Sequence, residues 1–389
     1  MSPFRCAAVG AVLAGLLAAP AAAAPPAGPA GLSFYAPPAA KVAGAHGSLI
    51  WARRVTTGKI PSVGRTWLVL YRSVSPKGKT VPVSGLVTLP TRRAPKAGWP
   101  VVSWAHGTTG IADVCAPSRT LGTPRNSYSS GLLAEMDGWL RRGYAVARSD
   151  YQGLGTPGMH PFLIGTAEGR SVIDIVGAAH RLNAHVGRRW VAIGHSQGGH
   201  ATLWAAALAP RYAPKLRLAG ALPLAPQTHT GEEANLFKSL DTTQFGGLPA
   251  MIVAAGAADA SLDPAAVFSP RAFALYPQFE QRCLGDLSKA DSFGGISIRD
   301  LINQDADPAP LVAELSANDP EDQTIKVPLQ IAQGDADKTV VPSFTQQTVD
   351  ALRARGTAVT YDIYRGVDHD GVVGAARAKD DAYIRKLLG

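Results

Sequence analysis

Two hydrophobic periodicities alternate along most of the chain. Short, almost continuous apolar runs, typical of strands buried on both faces, are separated by longer segments with the apolar spacing of amphipathic helices. The predicted strands cover residues 99–105, 144–148, 189–193 and 216–224, and the helices between them cover 131–143, 166–186 and 197–209. Strands that alternate with helices predict the α/β class, a mostly parallel sheet with helices on both faces.

Flanking segments extend this pattern at both ends. Apolar alternation over residues 49–56 and 66–89, broken by the turn residues 75–78 (Ser-Pro-Lys-Gly), predicts antiparallel strands at one edge of the sheet. After residue 326 the pattern resumes, with strands at 327–333 and 359–365 and helices at 343–354 and 372–388. We therefore expect one α/β core made of residues 47–226 and 327–389.

Two segments fall outside this alternation. Residues 227–326 carry helical stretches and many apolar residues, and a structureless loop of that length is implausible. We expect a mostly helical insertion, called the cap below, that covers the carboxyl edge of the sheet. Residues 25–46 are rich in proline, alanine and glycine and are expected to form an extended leader.

The first 24 residues have the features of a secretory signal peptide. Arg5 precedes an apolar run from Cys6 to Leu17, and the small residues 21–24 that follow suit a signal peptidase. The apolar run is too short to span the roughly 30 Å of a bilayer core. We therefore expect a secreted protein that is cleaved near Ala21 to Ala24.

Composition and charge narrow the function classes. The 389 residues are 46% apolar and 17% charged, which excludes wholesale disorder. Cleavage would remove Arg5 and leave one basic residue fewer than the 38 of the whole chain, against 29 acidic ones. The basic residues include separated pairs, which favour a solvated surface over a nucleic-acid partner: Arg53-Arg54, Arg92-Arg93, Arg141-Arg142 and Arg188-Arg189. Weak peripheral contact with an anionic envelope or lipid interface stays open.

Cysteine usage fits the expected compartment. Of the three cysteines, Cys6 would leave with the signal peptide, so that Cys115 and Cys283 remain. In an oxidising compartment two remaining thiols are expected to form one disulfide.

A glycine-flanked serine follows one predicted strand directly. Residues 194–198 read Gly-His-Ser-Gln-Gly, between the strand 189–193 and the helix 197–209. Such a sharp strand–turn–helix strains its middle residue and exposes the hydroxyl, and glycines are needed because a Cβ would clash. The pattern alone can occur by chance, but this position predicts that Ser196 is a catalytic nucleophile.

Serine needs a base, and in this fold class an acid and then a histidine follow it along the chain. His369, in the loop after the strand 359–365, is the one histidine beyond residue 333 and is predicted to be the base. The acid should end the preceding strand, where Asp335 and Asp337 both lie. We favour Asp337, which would fix the imidazole tautomer and stabilise its charge, and interpret Asp335 as a solvated turn residue.

Two backbone N–H groups are predicted to hold the oxyanion. One is that of Gln197, after the nucleophile, and the other is that of Thr108 in the loop 106–110 (His-Gly-Thr-Thr-Gly), with Thr109 as the alternative.

Two further polar features near these motifs receive structural interpretations. His195 and His200 flank the serine, but no carboxylates lie at ligand spacing, so packing is favoured and no metal site is predicted. Asp150-Tyr151, at the end of the strand 144–148, is interpreted as a structural hydrogen-bonding pair.

The quoted motifs resemble the secretory lipases of the lipase A type, within the α/β-hydrolase superfamily, from about residue 50 to the C-terminus. The matching stretches are residues 106–110, Cys-Ala-Pro-Ser at 115–118, Ser-Asp-Tyr-Gln-Gly at 149–153, the Ser196 turn and the two loops with the predicted acid and base. The resemblance implies an α/β-hydrolase fold, a helical cap between the sixth and seventh strands at 227–326, and carboxylic esters or acylglycerols as substrates. It also supports a disulfide from Cys115 to Cys283. Fungal members carry a second disulfide near the catalytic histidine, for which this chain lacks cysteines, so the His369 loop is expected to be looser.

The sequence therefore predicts a secreted serine hydrolase, a lipase or esterase, that cleaves a small-molecule ester or lipid through an acyl-enzyme. This chemistry requires neither a metal nor an organic cofactor. Two alternatives stay open: a cell-envelope acyltransferase on the same fold, and a catalytically inactive binding module. The filled triad positions disfavour the inactive module. The sequence does not indicate an oligomeric state.

The chain length of the substrate is an open question at this stage. Apolar cap residues such as Phe245, Phe268 and Phe279 would suit an acyl-binding tunnel. Packing within the cap explains the same residues equally well, so a lipase is only narrowly favoured over a short-chain esterase.

Overall fold

A computed structural model describes residues 25–58, 60–121 and 129–389. Among these residues, nine strands form one sheet in the order β1-β2-β3-β5-β4-β6-β7-β8-β9. The strands are β1 (Leu49–Val55), β2 (Arg65–Val74), β3 (Thr80–Leu89), β4 (Trp99–Ala105), β5 (Ala145–Ser149), β6 (Val186–His195), β7 (Arg217–Leu224), β8 (Leu329–Gly334) and β9 (Val359–Tyr364). The pairs among β1, β2, β3 and β5 are antiparallel, whereas all others are parallel. The predicted mostly parallel sheet with an antiparallel edge is confirmed.

The α-helices of the described residues range from single turns to five turns. They are α1 (Ala39–Val42), α2 (Ser129–Arg142), α3 (Gly165–Leu182), α4 (Gln197–Tyr212), α5 (Thr230–Leu236), α6 (Gly247–Asp259), α7 (Pro264–Val267), α8 (Pro270–Phe273), α9 (Leu284–Leu287), α10 (Ile298–Leu301), α11 (Ala309–Ala317), α12 (Pro342–Ala354) and α13 (Gly371–Leu388). Short 3₁₀ turns lie at Gly31–Phe34, Asp113–Cys115, Phe237–Ser239, Tyr276–Glu280, Phe293–Gly295 and Pro320–Asp322.

Helices cover both faces of the sheet because the central strands are apolar on both sides. Helices α3, α4 and α12 pack on one face, around the fully buried Trp190. Helices α2 and α13 pack on the other face, around Trp104 and Trp139. Burial of each Val, Leu or Ile side chain contributes about 1.5 to 3 kcal/mol to the free energy of folding, so these two cores stabilise the sheet. Because β4 to β9 are parallel, their carboxyl ends lie along one edge.

The insertion between β7 and β8 forms a layer of helices, α5 to α11, whose apolar core also includes Ile111, Phe162 and Leu163 from the α/β core. The Phe279 ring stacks on Phe293 at 4.6 Å and lies 6.3 Å from Phe268. Counted along this chain the insertion follows the seventh of nine strands, one later than the count taken from the family. Its boundaries at residues 227 and 326 remain our prediction.

The leader differs from the expected extended segment. It contains a 3₁₀ turn and α1, and it inserts the fully buried Phe34 beside Trp51, Leu68 and Leu70 of the first two strands. The Trp51 Nε1 also donates to the Phe34 carbonyl oxygen at 3.0 Å. The prediction rested on composition alone, and it missed the two adjacent aromatic residues that anchor the segment.

The predicted signal peptide, residues 1–24, lies outside the described residues. Within the part of the chain that the structure describes, no helix has the length and apolar character needed to cross a membrane.

Candidate active site

The carboxyl edge of the sheet brings three distant loops together. Ser196 directly follows β6, Asp337 follows β8 and His369 follows β9. In the sheet order only β7 separates β6 from β8, and β9 is next to β8. Because parallel strands end at the same edge, all three predicted catalytic residues lie on the side of the sheet that also leads into the cap.

Ser196 sits in a strained turn. Its backbone φ of 60° and ψ of −119° lie in a region that non-glycine residues rarely adopt, at a cost of about 1 to 3 kcal/mol. The turn is held by its N–H, which donates to the Leu224 carbonyl oxygen at 2.9 Å. A Cβ on Gly194 would lie 2.3 Å from the Gly198 oxygen, and one on Gly198 would lie 2.0 Å from the Ala105 oxygen. Both flanking glycines are therefore required by close backbone approaches.

His369 has a carboxylate partner. Its Nδ1 lies 2.7 Å from Asp337 Oδ2, while Asp337 Oδ1 accepts from the backbone N–H groups of Thr339 and Val340 at 2.8 and 2.9 Å. Burial would raise the pKa of Asp337, but its hydrogen bond to His369, the charge of that ring and the two backbone donors lower it overall. Asp337 is thus an ionised, buried carboxylate positioned to orient the imidazole.

Asp335 has a different role in the same loop. Its exposed side chain accepts from the Gly366 N–H at 2.6 Å, which ties the loop after β8 to the loop after β9. The structure therefore pairs His369 with Asp337 and not with Asp335.

His195, the residue before Ser196, contacts the loop that carries His369. The His195 Nε2 donates to the His369 carbonyl oxygen at 2.8 Å, and the two rings lie 4.5 Å apart. Burial, aided by the neighbouring His369, lowers the pKa of His195 to about 3, so His195 is neutral. Within the described residues, no hydrogen bond joins the Ser196 Oγ to the His369 ring; such bonds are often long in ligand-free enzymes.

The two candidate oxyanion donors belong to segments that touch. Gly198 at the start of α4 lies against Ala105 and His106 at the end of β4, so the loop 106–110 runs beside the amino end of this helix. Neither the Gln197 N–H nor the Thr108 N–H donates to a protein acceptor among the described residues. Helix amino ends carry partial positive charge, so an anion is favoured here.

The loop that carries Thr108 is also fastened to the cap. The Leu284 N–H donates to the Thr109 carbonyl oxygen at 3.0 Å, and the adjacent Cys283 is bonded to Cys115 with Cα atoms 5.5 Å apart. The segment from Thr109 to Cys115 is thus joined to the cap by a disulfide and a hydrogen bond.

A buried polar network underlies the elbow. The Gln197 Nε2 donates to Glu168 Oε1 at 2.7 Å and to His160 Nε2 at 2.8 Å. Burial lowers the pKa of His160 to about 4, which keeps its Nε2 free to accept. The other Glu168 oxygen lies 2.8 Å from His200 Nδ1, and His200 Nε2 donates to the Asn318 carbonyl oxygen at 2.9 Å. The network therefore links α4 to α3 and to the end of the cap.

His200 is used for packing within this network. Burial opposes its charge, but the hydrogen bond and negative charge of Glu168 raise the pKa of His200 overall. Both of its ring nitrogens are occupied by protein partners, as is the Nε2 of His195, in line with the packing interpretation of both residues. Glu168, His160 and Asn318 were not singled out from the sequence, although a glutamate within the apolar helix pattern was a usable signal.

The Asp150-Tyr151 pair has structural partners. The buried Asp150 carboxylate accepts from the Ser84 hydroxyl at 2.6 Å and from the Ser118 N–H at 2.9 Å. The Tyr151 hydroxyl donates to the His106 carbonyl oxygen at 2.8 Å. The pair thus holds the loop 106–110 and the segment around Ser118 in place, as expected for a structural role.

The sheet order and the helices on both faces give the chain an α/β-hydrolase fold, with Ser196 at a strand–helix elbow. The model of the secretory lipase family matches residues 132–286. The chain is 29% identical over 233 residues to a probable inactive lipase of Mycobacterium tuberculosis, covering 57% of this chain and 50% of the relative. It is 31% identical over 205 residues to Lipase A of Moesziomyces aphidis, covering 48% and 41%. Candida antarctica lipase A in its closed state aligns with a TM-score of 0.76 at 20% identity, covering 91% of this chain and 85% of that one.

These similarities confirm the resemblance to secretory lipases and the α/β-hydrolase fold. The chain spans about half the length of the curated relatives it matches, or less. One of those relatives is named as inactive and the other as a lipase, so similarity alone does not decide whether this chain is catalytic.

Proposed function

We propose that the protein is a serine hydrolase of carboxylic esters, with Ser196 as nucleophile, His369 as base and Asp337 as the acid. The observation that carries this proposal is the 2.7 Å contact between His369 and Asp337 at the edge where the strained Ser196 turn also lies. In a catalytically inactive protein, the cost of a strained serine beside a histidine–carboxylate pair would have no functional benefit.

The reaction would proceed in two halves. His369 Nε2 takes the Ser196 proton while Oγ forms a bond to the ester carbonyl carbon and the carbonyl electrons move to its oxygen. Collapse of this intermediate breaks the bond to the alcohol, which leaves with the proton from His369. Water then attacks the acyl-enzyme with the same base, and the carboxylic acid is released from Ser196.

Each supporting group has a defined role in this scheme. Asp337 at Nδ1 fixes the tautomer that leaves Nε2 as the acceptor, and it stabilises the imidazolium. The N–H groups of Gln197 and Thr108 would bind the oxyanion, each contributing about 3 kcal/mol to the transition state. None of these steps involves a metal or an organic cofactor.

The proposed substrate is a lipid or another small-molecule ester, met outside the cell. Phe268 and Phe279, two residues that would suit an acyl tunnel, are buried in the core of the cap itself, whereas Phe245 is 39% exposed on its surface. The exposed Leu236 and Leu240 lie in the same part of the cap, which supports peripheral contact with a lipid interface. We therefore keep a lipase as the preferred form of the proposal, with a short-chain esterase as its competitor.

A fluorophosphonate probe tests the nucleophile. Wild-type protein and the matched variant Ser343→Ala, an exposed serine on α12, should be labelled, and Ser196→Ala should not. An unlabelled wild type would overturn the proposal and favour a binding module. Hydrolysis in the presence of a competing alcohol separates the acyltransferase alternative, because a transferase would yield the new ester in place of the free acid.

Esters of p-nitrophenol with increasing acyl length test the substrate class. A lipase should hydrolyse the long-chain esters at least as well as the acetate. A strong preference for acetate would exclude a lipase and leave the esterase.

A further inference from the structure

Arginine pairs that are far apart in the sequence meet at the amino edge of the sheet. A cleft of about 540 Å³ lies between the β3–β4 loop, the end of α2, the start of β6 and the end of α13. Four arginines line this arginine cleft, from three of the four pairs found in the sequence: Arg92, Arg93, Arg142 and Arg189. The cleft lies where β4 and β6 begin, so the full length of the strands separates it from Ser196.

Among the described residues, three of the four arginines make no ion pair with a carboxylate side chain. Arg142 Nη2 lies 3.2 Å from Asp381 Oδ2, and Arg92 Nη1 donates to the Arg141 carbonyl oxygen at 3.0 Å. Among the described residues, neither Arg93 nor Arg189 has a carboxylate within ion-pair distance. Guanidinium groups gathered in one cleft raise the local positive potential, which favours an anionic ligand.

The strand register places a further arginine beside the cleft. Arg189 on β6 is the direct neighbour of Arg217 on β7, which is also exposed and without an ion pair in the described part of the chain. Like charges at adjacent positions of a sheet repel each other. An anion shared between such side chains would relieve this repulsion.

The backbone around the cleft is closely packed. The backbones of Gly98 and Gly187 approach so closely that a Cβ on Gly98 would lie 2.6 Å from the Gly187 nitrogen. Trp99 is buried in the wall, and its indole N–H has no hydrogen-bond partner among the described residues. The Tyr144 hydroxyl donates to an oxygen of the Gly389 carboxylate at 2.9 Å, which fixes the end of α13 and places one carboxylate at the rim.

We propose that the arginine cleft binds a phosphate monoester or diester group, supplied either by a lipid headgroup or by a soluble phosphate ester. Guanidinium groups present two parallel N–H donors that match phosphate oxygens, which favours phosphate over a single carboxylate. A headgroup held here would leave the carboxyl edge and the cap free. This inference does not depend on the proposed function.

Binding of two kinds of probe distinguishes the sources. Wild-type protein is tested by cosedimentation with vesicles of phosphatidylglycerol and phosphatidylcholine, against pure phosphatidylcholine, and by calorimetry with glycerol phosphate. The variant Arg93→Gln/Arg189→Gln should weaken binding about thirtyfold, because each charge near an anionic surface contributes about fivefold. The matched variant Lys77→Gln/Lys79→Gln removes the same charge from the exposed β2–β3 turn, at the other edge of the sheet, and should stay within twofold of wild type.

The outcomes separate cleanly. A loss of binding that is confined to the cleft variant supports the proposal. If binding is lost with vesicles alone, the ligand is a lipid headgroup. If binding is lost with glycerol phosphate as well, the cleft holds the phosphate group by itself. Equal losses in both variants would show only non-specific attraction, and absence of wild-type binding to both probes would equally overturn the proposal. Unchanged thermal unfolding of both variants shows that they are folded.

Discussion

Asp335 and Asp337 lie two residues apart, yet their carboxylates have different partners. Asp337 is buried against His369 and two backbone N–H groups, whereas Asp335 is exposed and bound to Gly366. Replacement of Asp337 by Asn should lower kcat/KM for an ester by about 10³- to 10⁴-fold, because the amide would favour the wrong imidazole tautomer. Asp335→Asn is the matched control and should stay within a few-fold of wild type. Comparable losses in both variants would contradict the assignment of the acid.

The predicted catalytic residues could be located from the sequence because each follows a strand that the apolar pattern identifies. Ser196 was predicted from its glycine-flanked position between a strand and a helix, and His369 from chain order and a strand end. The choice of Asp337 over Asp335 agrees with the contacts found. The network of Glu168 could not be assembled in this way. Its partners come from the nucleophile helix, a loop before α3 and the end of the cap, and only tertiary packing brings those segments together.

The leader is the element for which composition was most misleading. Phe34 is fully buried, its ring lies 5.9 Å from that of Trp51, and the Arg53 guanidinium stands over it at 4.7 Å. Phe34→Ala should lower the free energy of unfolding by about 3 to 5 kcal/mol, the cost of a large cavity in a core. Leu32→Ala is the control in the same 3₁₀ turn, because Leu32 is 65% exposed, and should have little effect. Urea denaturation measures both, and equal stability of the two variants would mean that the leader does not contribute to the fold.

Strands and long helices were predictable to within a few residues, since burial on one or two faces imposes a period on the sequence. The short helices of the cap were not. Several are fixed by local side-chain caps, as at Asp263, Ser269 and Ser297, and the rest by contacts with the cap core. Helices of a single turn have no period to read, so only their overall helical character could be expected.

At the scale of the whole molecule, the sheet separates the candidate active site from the arginine cleft. Its carboxyl edge carries the serine, the imidazole and free backbone N–H donors under the cap, while its amino edge gathers unpaired arginines. Four of the arginines therefore lie together at the edge opposite the proposed catalytic centre.

The stability of the whole molecule should also depend on pH through the helix that follows the catalytic loop. Asp380 on α13 is buried beside Gln330, and α13 begins two residues after His369. Burial raises the pKa of Asp380 to about 7; the hydrogen bond from Gln330 opposes this, and the carboxylates of Glu135 on α2, Asp362 on β9 and Asp381 reinforce it. The unfolded chain would release this proton near pH 4, so the folded state binds more protons between about pH 4 and 7. The free energy of unfolding should therefore fall as pH rises through this window and level off above it.

Asp380→Asn removes this dependence while keeping an oxygen that can accept from Gln330. We expect the stability advantage of the variant over wild type to widen from pH 5 to pH 8, by an amount on the order of a few kcal/mol. Asp305→Asn, on the exposed surface of the cap, changes the net charge equally and should show no such divergence. Thermal unfolding of the three proteins from pH 5 to pH 8 makes the comparison. Parallel curves of stability against pH for wild type and Asp380→Asn would mean that the buried carboxyl group does not retain its proton. Only a retained proton makes the free energy of unfolding fall as the pH rises.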